Sequence, residues 1–578
     1  ALQPGETTVT AQVYVDGIGF GATQTVVVNT KTLETVTLTI DKPKVSLGMT
    51  AQLTVTGQTY GQPVDLSDAT IVFRSLNPSV ATVDEKGTVT AVGLGVAELQ
   101  AEVTLGPSTK IGSVQVEVTP PYLNELTVTM YRPKTFVGET RRLDLWGVLN
   151  NGQPADLSQA TITYTSSNPQ VVQVDDSGNL HILAPGTSVV SVSVSLGGVT
   201  KTGQVTVEAQ QLTSAKTRAT VYTDEKVGNA RRNAETYDWA KATRDAAVQR
   251  AEQFLAKGAD FLWTMVPAQT LPRSIYVNQT LGSPITGREI DKFGNYPYLG
   301  DPINEPFKIV DPSSGYIFPT NDFLSYYLSG LDEHGFFDPK RADRSLLVNT
   351  LYPEKGPTWG VDDGFGWVDE YGNRYTFIAY YVHWFLWYGS STALLQSALN
   401  AFRDAYIYTG DPKYAVHGII LLDRIADVYP DLDISKYDPN TYFNSHGGTN
   451  TGKAIGKIWE TSLVKDFVAA YDAFFPAFDD PAVMNEVLDF LGKKADQFDL
   501  PLKRSATGIK RNIEDGIIKQ VYPGVKNAQI HGNNGFHQSA LAMAAVVYDT
   551  LPETKEWLDF DFMAGGLLRG PWRVTGGN

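Results

Sequence analysis

The sequence predicts a multidomain chain in which all-β sandwiches, up to about residue 210, are followed by an all-helical region. Three observations predict it. From Ala1 to about Gln210, Val and Thr alternate with period two, as in Ser191-Val192-Ser193-Val194 and Val205-Thr206-Val207, between turns of Gly, Pro, Asn and Asp. The same stretch repeats itself at a spacing of 91 residues. Beyond about Thr213 helical spacing takes over, and every Trp except Trp146 and every His except His181 lies there. The chemistry is therefore expected in the helical region.

Composition bounds the function. A chain of 578 residues holds several domains of roughly 100–200 residues each. A hydrophobic content of 42% and a charged content of 19% are those of a folded globular chain, which excludes wholesale disorder and a fibrous repeat. With 47 basic against 63 acidic residues the net charge is −16, so neither nucleic acid nor an anionic membrane is a partner held by the overall field. A polyanionic ligand needs a local basic groove. The absence of Cys excludes disulfides, thiolate metal sites and a Cys nucleophile. No uncharged apolar run has membrane-spanning length, and Ala1-Leu2-Gln3-Pro4-Gly5 is not a basic, apolar leader, so a signal is expected to have been removed or to lie further upstream.

The β part can be laid out from its repeat. Asp65-Leu66-Ser67 recurs as Asp156-Leu157-Ser158, Asn77-Pro78 as Asn168-Pro169, Asp84 as Asp175, Gly87 as Gly178 and Gly95 as Gly186. A unit of about ninety residues suits one sandwich, giving complete units at 33–120 and 121–210. Ala1…Gly5 followed by Val9-Thr10-Ala11-Gln12-Val13 matches Ala91…Gly95 and its strand, so residues 1–32 read as the last third of a further repeat. A partial sandwich exposes unpaired edges and half a core. The expectation is that it packs on its neighbour or is completed by another fragment, in a longer protein.

The order of Asn-Pro, Val172-Gln173-Val174-Asp175, the turn Gly and Ala91…Gly95 before a last alternating strand resembles the bacterial Ig-like domains of group 2. That resemblance implies spacer modules of a secreted or cell-surface bacterial protein, with sugar or cell-wall binding as the alternative. The aspartates of Asp65-Leu66-Ser67 and Asp156-Leu157-Ser158 read as turn formers, with structural calcium or another divalent cation as the alternative.

Residues 211–228 read as a linker and 229–578 as one helical domain. Ala240, Ala247, Val248, Ala251 and Leu255 share a helical face that Gly258 ends. Further stripes are Leu395-Ala398-Phe402-Tyr406 before Thr409-Gly410-Asp411, Ala415-Leu422-Ala426 before Tyr429-Pro430, Leu463-Phe467-Ala470-Phe474, Val483-Val487-Phe490, and a segment from about Gly535 to Tyr548. Helices joined in this way suggest hairpins stacked in a ring or a superhelix.

Tyr380-Tyr381-Val382-His383, then Ala405-Tyr406 with Thr409-Gly410-Asp411, Leu421-Leu422-Asp423, Ile458-Trp459-Glu460-Thr461, Ala470-Tyr471-Asp472 and finally Gly532-Asn533-Asn534-Gly535-Phe536-His537-Gln538 resemble, in this order, the (α/α) toroid domain of polysaccharide lyases of the heparinase II/III and alginate-lyase type. The resemblance covers about residues 230–578. It implies β-elimination on a uronate-containing, anionic polysaccharide: stabilisation of the ionised carboxylate, abstraction of the C5 proton and protonation of the departing O4. By the motif, Asn533 holds the substrate carboxylate, with Asn534 as the near alternative. The bland reading of both is an N-cap. His537 shares their helical face. His383 sits among aromatic residues that either stack on sugar or fill the core. Tyr381, Trp384, Trp359, Trp367 and Trp459 are the stacking candidates, Arg374 a cation for uronate, and His531 and His446 further polar candidates. Lys453, Lys457, Lys510 and Arg511 are other available cations. No cofactor is required and no catalytic metal pair is present in the pattern.

The sequence departs from the lyase pattern at its end. Only residues 534–578 follow Asn533 and no Tyr follows Tyr548, whereas the family carries a Tyr base and a β-sandwich further on. The expectation is that either a second polypeptide fragment completes the site or this chain is inactive by itself. The rival readings are a glycoside hydrolase using two of Glu460, Asp362, Asp363, Glu370 and Asp515, and a cell-surface glycan-binding protein.

Overall fold

The computed structural model describes residues 5–28, 32–273, 280–387, 393–437, 451–455, 458–532 and 535–562. They form two compact units, Ala1–Lys134 with Arg142–Ala209, and Thr135–Arg141 with Gln210–Asn578.

The first unit is all β. It opens with a hairpin of β1 (Gly5–Val15) and β2 (Ile18–Val28). The first complete sandwich follows, with β3 (Thr35–Ile40), β4 (Lys44–Ser46), β5 (Thr50–Thr59), β6 (Gln62–Val64), β7 (Thr70–Ser75), β8 (Ala81–Val83), β9 (Thr88–Ala91), β10 (Gly95–Leu105) and β11 (Ser108–Thr119). One sheet runs β4-β11-β10-β7 and the other β3-β5-β9-β8, with β6 on β5. Period-two alternation turns Ala97, Leu99, Ala101, Val103 and Leu105 inward, and they meet Leu38, Leu53 and Val89 in one core.

The second sandwich repeats this plan with β12 (Leu123–Thr129), β13 (Lys134–Phe136), β14 (Thr140–Arg142), β15 (Asp144–Leu149), β16 (Thr161–Ser166), β17 (Val172–Val174), β18 (Asn179–Ile182), β19 (Gly186–Leu196) and β20 (Val199–Gln210). Gly95 pairs with Val118 and Gly186 with Ala209, so the 91-residue repeat is a repeat of register. It also repeats a turn. Asp84 accepts from the Lys86 and Thr88 amides, and Asp175 from those of Ser177 and Asn179, around Gly87 and Gly178 at φ +76° and +81°. Asp65 and Asp156 likewise accept from the amides of Ser67 and Ser158 at 2.9 and 3.0 Å, as turn formers do.

The second unit carries the helices α1 (Asp224–Thr236), α2 (Asp238–Leu255), α3 (Gly258–Met265), α4 (Phe323–Ser329), α5 (Phe377–Tyr381), α6 (Leu394–Thr409), α7 (Pro412–Val428), α8 (Glu460–Phe474), α9 (Pro481–Gln497), α10 (Ala506–Gly516), α11 (Val521–Lys526), α12 (Phe536–Tyr548) and α13 (Glu553–Phe562). α1 and α2 pack on α6, α6 on α7 and α8, α8 on α12, and α12 on α13, while α7 also takes α9 and α10. α7 is central: from Tyr414 to Val428 all but His417 are buried, and its buried carboxylates Asp423 and Asp427 both accept from Lys503 Nζ and Asn512 Nδ2, as buried charges require. The punctuation acts as expected. Gly410 ends α6 in the left-handed region, and Asp411 caps α7 ahead of Pro412. Gly258, expected to end a helix, instead opens α3 after α2 has ended at Leu255.

The stretch read as a linker is tied down. Asp472 accepts from Lys216 Nζ (2.7 Å) and from the amides of Thr220, Val221 and Tyr222 (each 2.8 Å), and Glu514 from the amides of Ala215 and Lys216. α1 begins within that stretch, at Asp224. Among the described residues, no helix is long and apolar enough to cross a membrane.

Candidate functional site

The start of α8 and the approach to α12 meet in the helical unit. Gly532 lies so close to the Ile458 carbonyl that a Cβ there would stand 3.2 Å from it. Thr451 donates to the Ala528 carbonyl at 2.7 Å, and His531 Nδ1 lies 3.0 Å from the same oxygen. Gly535 holds the N-cap of α12, its amide donating to Gln538 Oε1 at 2.9 Å, so the cap assignment weighed for the two asparagines belongs to Gly535. Asn533, Asn534, His446 and Lys457 lie outside the described residues.

Beneath this junction is a buried polar knot. Glu460, the first residue of α8, accepts from the amides of Ile455 (2.7 Å) and Ala454 (3.3 Å) and from the Tyr429 hydroxyl (3.0 Å). Lys453 donates to the carbonyls of Pro430 and Tyr429 at 3.0 and 3.2 Å and stands over the Tyr429 ring. Arg273 donates through Nε to the Lys453 carbonyl and through Nη1 to that of Leu271, and lies over the Tyr437 ring. Its Nη2 is buried without a hydrogen-bond partner among the described residues. Burial draws the Arg273 guanidinium down to about 10, opposed by Tyr437, Glu460 and Asp433. Burial also lowers Lys453, opposed by Glu460, Asp431 and Asp433, and it raises Tyr429 well above the usual phenol range.

His537 is buried on the first turn of α12. Burial lowers its imidazole, the nearby His531 lowers it further, and a bond with the Gly532 backbone opposes both. A neutral imidazole can accept a proton at neutral pH, and two buried cations can hold a carboxylate. Arg273, Tyr429 and Tyr437 were not candidates from sequence. Tyr429-Pro430 read as a helix stop and as part of the lyase-like motif that begins at Leu421, without a role of its own, and Arg273 follows Pro272 with no pattern around it.

The remaining candidates are placed as follows. His383 lies wholly buried in a π-helical turn, Val382–Trp387, that continues α5, a geometry often found at functional sites. Trp384 is half-buried and stacks on Tyr296 at 4.3 Å. Trp387 of the same turn meets Phe467, which also meets Tyr429, so α8 links this turn to the knot. Tyr381 is enclosed by Phe307 and Phe385 and packs the wall instead of presenting a stacking surface. Trp359 and Trp367 form one aromatic cluster with Phe318, Tyr316, Tyr352 and Tyr375. Arg374 is exposed and donates to the Phe365 and Gly366 carbonyls, holding its own loop. Trp459 is 38% exposed at the mouth of α8. Of the alternative carboxylates, Asp362 is buried on the amides of Gly364, Gly366 and Ile378, Asp363 takes the Phe365 amide, and Asp515 pairs with Arg511 and Lys519. Among the described residues no group of His, Asp or Glu could hold a metal ion.

Comparison with known proteins defines the β-rich class first. Residues 32–119 match the bacterial Ig-like domain (group 2), and residues 155–195 the immunoglobulin-like domain of intimin. The N-terminal part therefore consists of bacterial Ig-like domains. Among curated proteins the chain is similar to an uncharacterized protein of Clostridium acetobutylicum (30% identical over 162 residues, 28% of this chain and 16% of the relative). It is also similar to ice-binding protein 1 of Shewanella frigidimarina (26% identical over 172 residues, 29% and 18%). The chain thus spans less than a fifth of the length of these relatives. Among solved structures it is similar to S-layer protein SbsC domains 4 and 5 (22% identical, 31% of this chain and 99% of that chain, TM-score 0.17). Drosophila OTK extracellular domains 3–5 are a further match (10% identical, 35% and 71%, TM-score 0.20).

Proposed function

We propose that the chain is a secreted or cell-surface polysaccharide lyase that cleaves a uronate-containing polysaccharide by β-elimination, its Ig-like domains acting as spacers. The observation that carries this reading is the buried Arg273–Lys453–Glu460 knot under the His531–His537 approach to α12. A uronate carboxylate adds a negative charge next to two buried cations, Arg273 and Lys453, whose hydrogen bonds go to backbone carbonyls, and its C5 proton needs a neutral base. His537, kept neutral by burial, is that base or its partner, and Asn533 holds the carboxylate beside it. The site takes no metal in this reading.

The test is mass spectrometry of products from alginate, hyaluronan, chondroitin and heparan. Unsaturated oligosaccharides, lighter by one water than hydrolysis products, are expected, and Asn533→Ala or His537→Ala is expected to lower their formation at least about 100-fold with the fold retained. Fully hydrated products that vanish in Glu460→Gln would establish the hydrolase instead. Binding of a glycan without any product would establish the glycan-binding protein.

A further inference from the structure

Among residues 1–210, Trp146 is the one Trp and His181 the one His, and both lie on the outer side of the second sandwich. On β15, Leu145 packs into the core while Trp146, next to it, turns out and is 49% exposed. On β18, Leu180 and Ile182 are buried, so His181 between them faces outward, its Nε2 3.5 Å from Asp175. Trp146 stands opposite Thr127 of β12, with Asp144 opposite Thr129 and Val148 opposite Glu125. Leu143 packs into the core between Asp144 and Arg142, which places exposed Arg142 on the same outer face.

The first sandwich serves as an internal control. Gly147 lies against Leu123 and Leu157 as Gly57 lies against Leu33 and Leu66, so Trp146 takes the place of Thr56, Asp144 of Thr54 and Arg142 of Gln52. On the neighbouring strand Asn179 and His181 take the places of Thr88 and Thr90. Thr37 and Thr39, opposite Thr56 and Thr54, remain threonines as Thr127 and Thr129. One scaffold thus carries a uniform face of Thr and Gln in its first copy, and in its second an indole framed by carboxylate, guanidinium, amide and imidazole groups. All of these side chains point away from the core, so packing does not account for the exchange. In the first copy Thr50 pairs with Thr90, which puts Thr56 six residues further along; the equivalent reach from His181 to Trp146 is roughly 20 Å.

We propose that this face of the second sandwich binds a neutral oligosaccharide, the Trp146 indole stacking on the C–H face of one sugar ring while Asp144, Arg142, Asn179 and His181 bond to hydroxyls of the rings that follow. An indole offers a broad apolar plate, and the four polar groups supply both donors and acceptors. Glu125, diagonal to Trp146, and Asp144, two residues before it, border the indole, so a uronate stacked there meets two like charges. The core of a protein interface draws on contiguous apolar area from which charge is depleted, whereas the ring here is bordered by Thr127, Glu125, Asp144 and Val148. The length of the face selects a chain of sugars over a single one. This binding is separate from the chemistry proposed for the helical region and does not depend on it.

The experiment is calorimetric titration of the full chain with the hexasaccharides of β-1,4-linked glucose, N-acetylglucosamine and mannose, and with an alginate hexasaccharide as the charged comparison. At least one neutral hexasaccharide is expected to bind. Trp146→Ala is expected to weaken it at least about 10-fold without moving the unfolding midpoint, Trp146→Tyr, which keeps a ring, to weaken it less, and Thr56→Ala on the first sandwich to leave it unchanged. The proposal is overturned if none of the neutral hexasaccharides binds, if binding survives Trp146→Ala, or if the alginate hexasaccharide is the ligand that Trp146→Ala releases. Self-association that Trp146→Ala abolishes, with no sugar bound, would overturn it too and mark a second copy as the occupant.

Discussion

At the scale of single residues, Glu460 is the group on which the candidate site turns. Its carboxylate satisfies two loop amides and one phenol and faces Arg273 and Lys453. Glu460→Ala leaves those donors unpaired and removes one of the charges that offset the burial of the two cations, a loss of about 3–5 kcal/mol that urea unfolding would register, whereas Glu460→Gln keeps one acceptor and loses less. Asp362 gives the clearest pH dependence. Burial raises its carboxyl from the ordinary 3.8 to about 6, against three backbone bonds that lower it. The folded state therefore binds more protons than the unfolded state between these values, so stability falls as pH rises through this window. Relative to Asp362→Asn, the native protein is expected to lose stability between pH 4 and pH 6 and to level off above, as read by denaturant midpoints across pH. At this scale His531 and His537 were legible, because a local Gly-Asn motif sits beside them. Arg273 and Tyr429 were not, because their partners Lys453 and Glu460 lie 180 and 31 residues further along the chain, beyond any local pattern.

At the scale of elements, helix limits were legible wherever glycine and aspartate punctuate them. The α6–α7 hairpin turns at Gly410-Asp411 because only a left-handed residue followed by an N-cap reverses the chain there. The π-helical turn at Val382–Trp387 was not legible, since its sequence reads equally as a buried α-helix. The anchoring of the segment before α1 was not legible for a related reason: Thr, Ser and Lys look solvated until Asp472 and Glu514 arrive from far along the chain. Asp472→Ala removes the acceptor of three amides and of buried Lys216. It is expected to cost about 3–5 kcal/mol and to open residues 214–222 to limited proteolysis. Intact protection of that segment would show that Glu514 alone holds it.

At the scale of the whole molecule, the repeat organises the β unit. The two complete sandwiches are joined by more than their shared strand plan: Asn150 Nδ2 donates to Ser46 Oγ at 2.7 Å and Asn151 Nδ2 to the Leu47 carbonyl at 3.0 Å. Each such bond contributes roughly 0.5–1.5 kcal/mol. Asn150→Ala with Asn151→Ala is expected to lower the coupling between the sandwiches by about 1–3 kcal/mol, seen as two calorimetric transitions in place of one for residues 32–210. The sequence by itself determined the division into β and helical regions, the 91-residue repeat and most helix limits. All of these follow from periodicity and turn chemistry, which act over a few neighbouring residues. Only the tertiary structure decided that Arg273, Tyr429, Lys453 and Glu460 form one buried knot and that residues 214–222 are strapped to α8 and α10. Burying a charge demands partners, and the fold recruits them from whichever segments it brings together, at distances along the chain that no local pattern records.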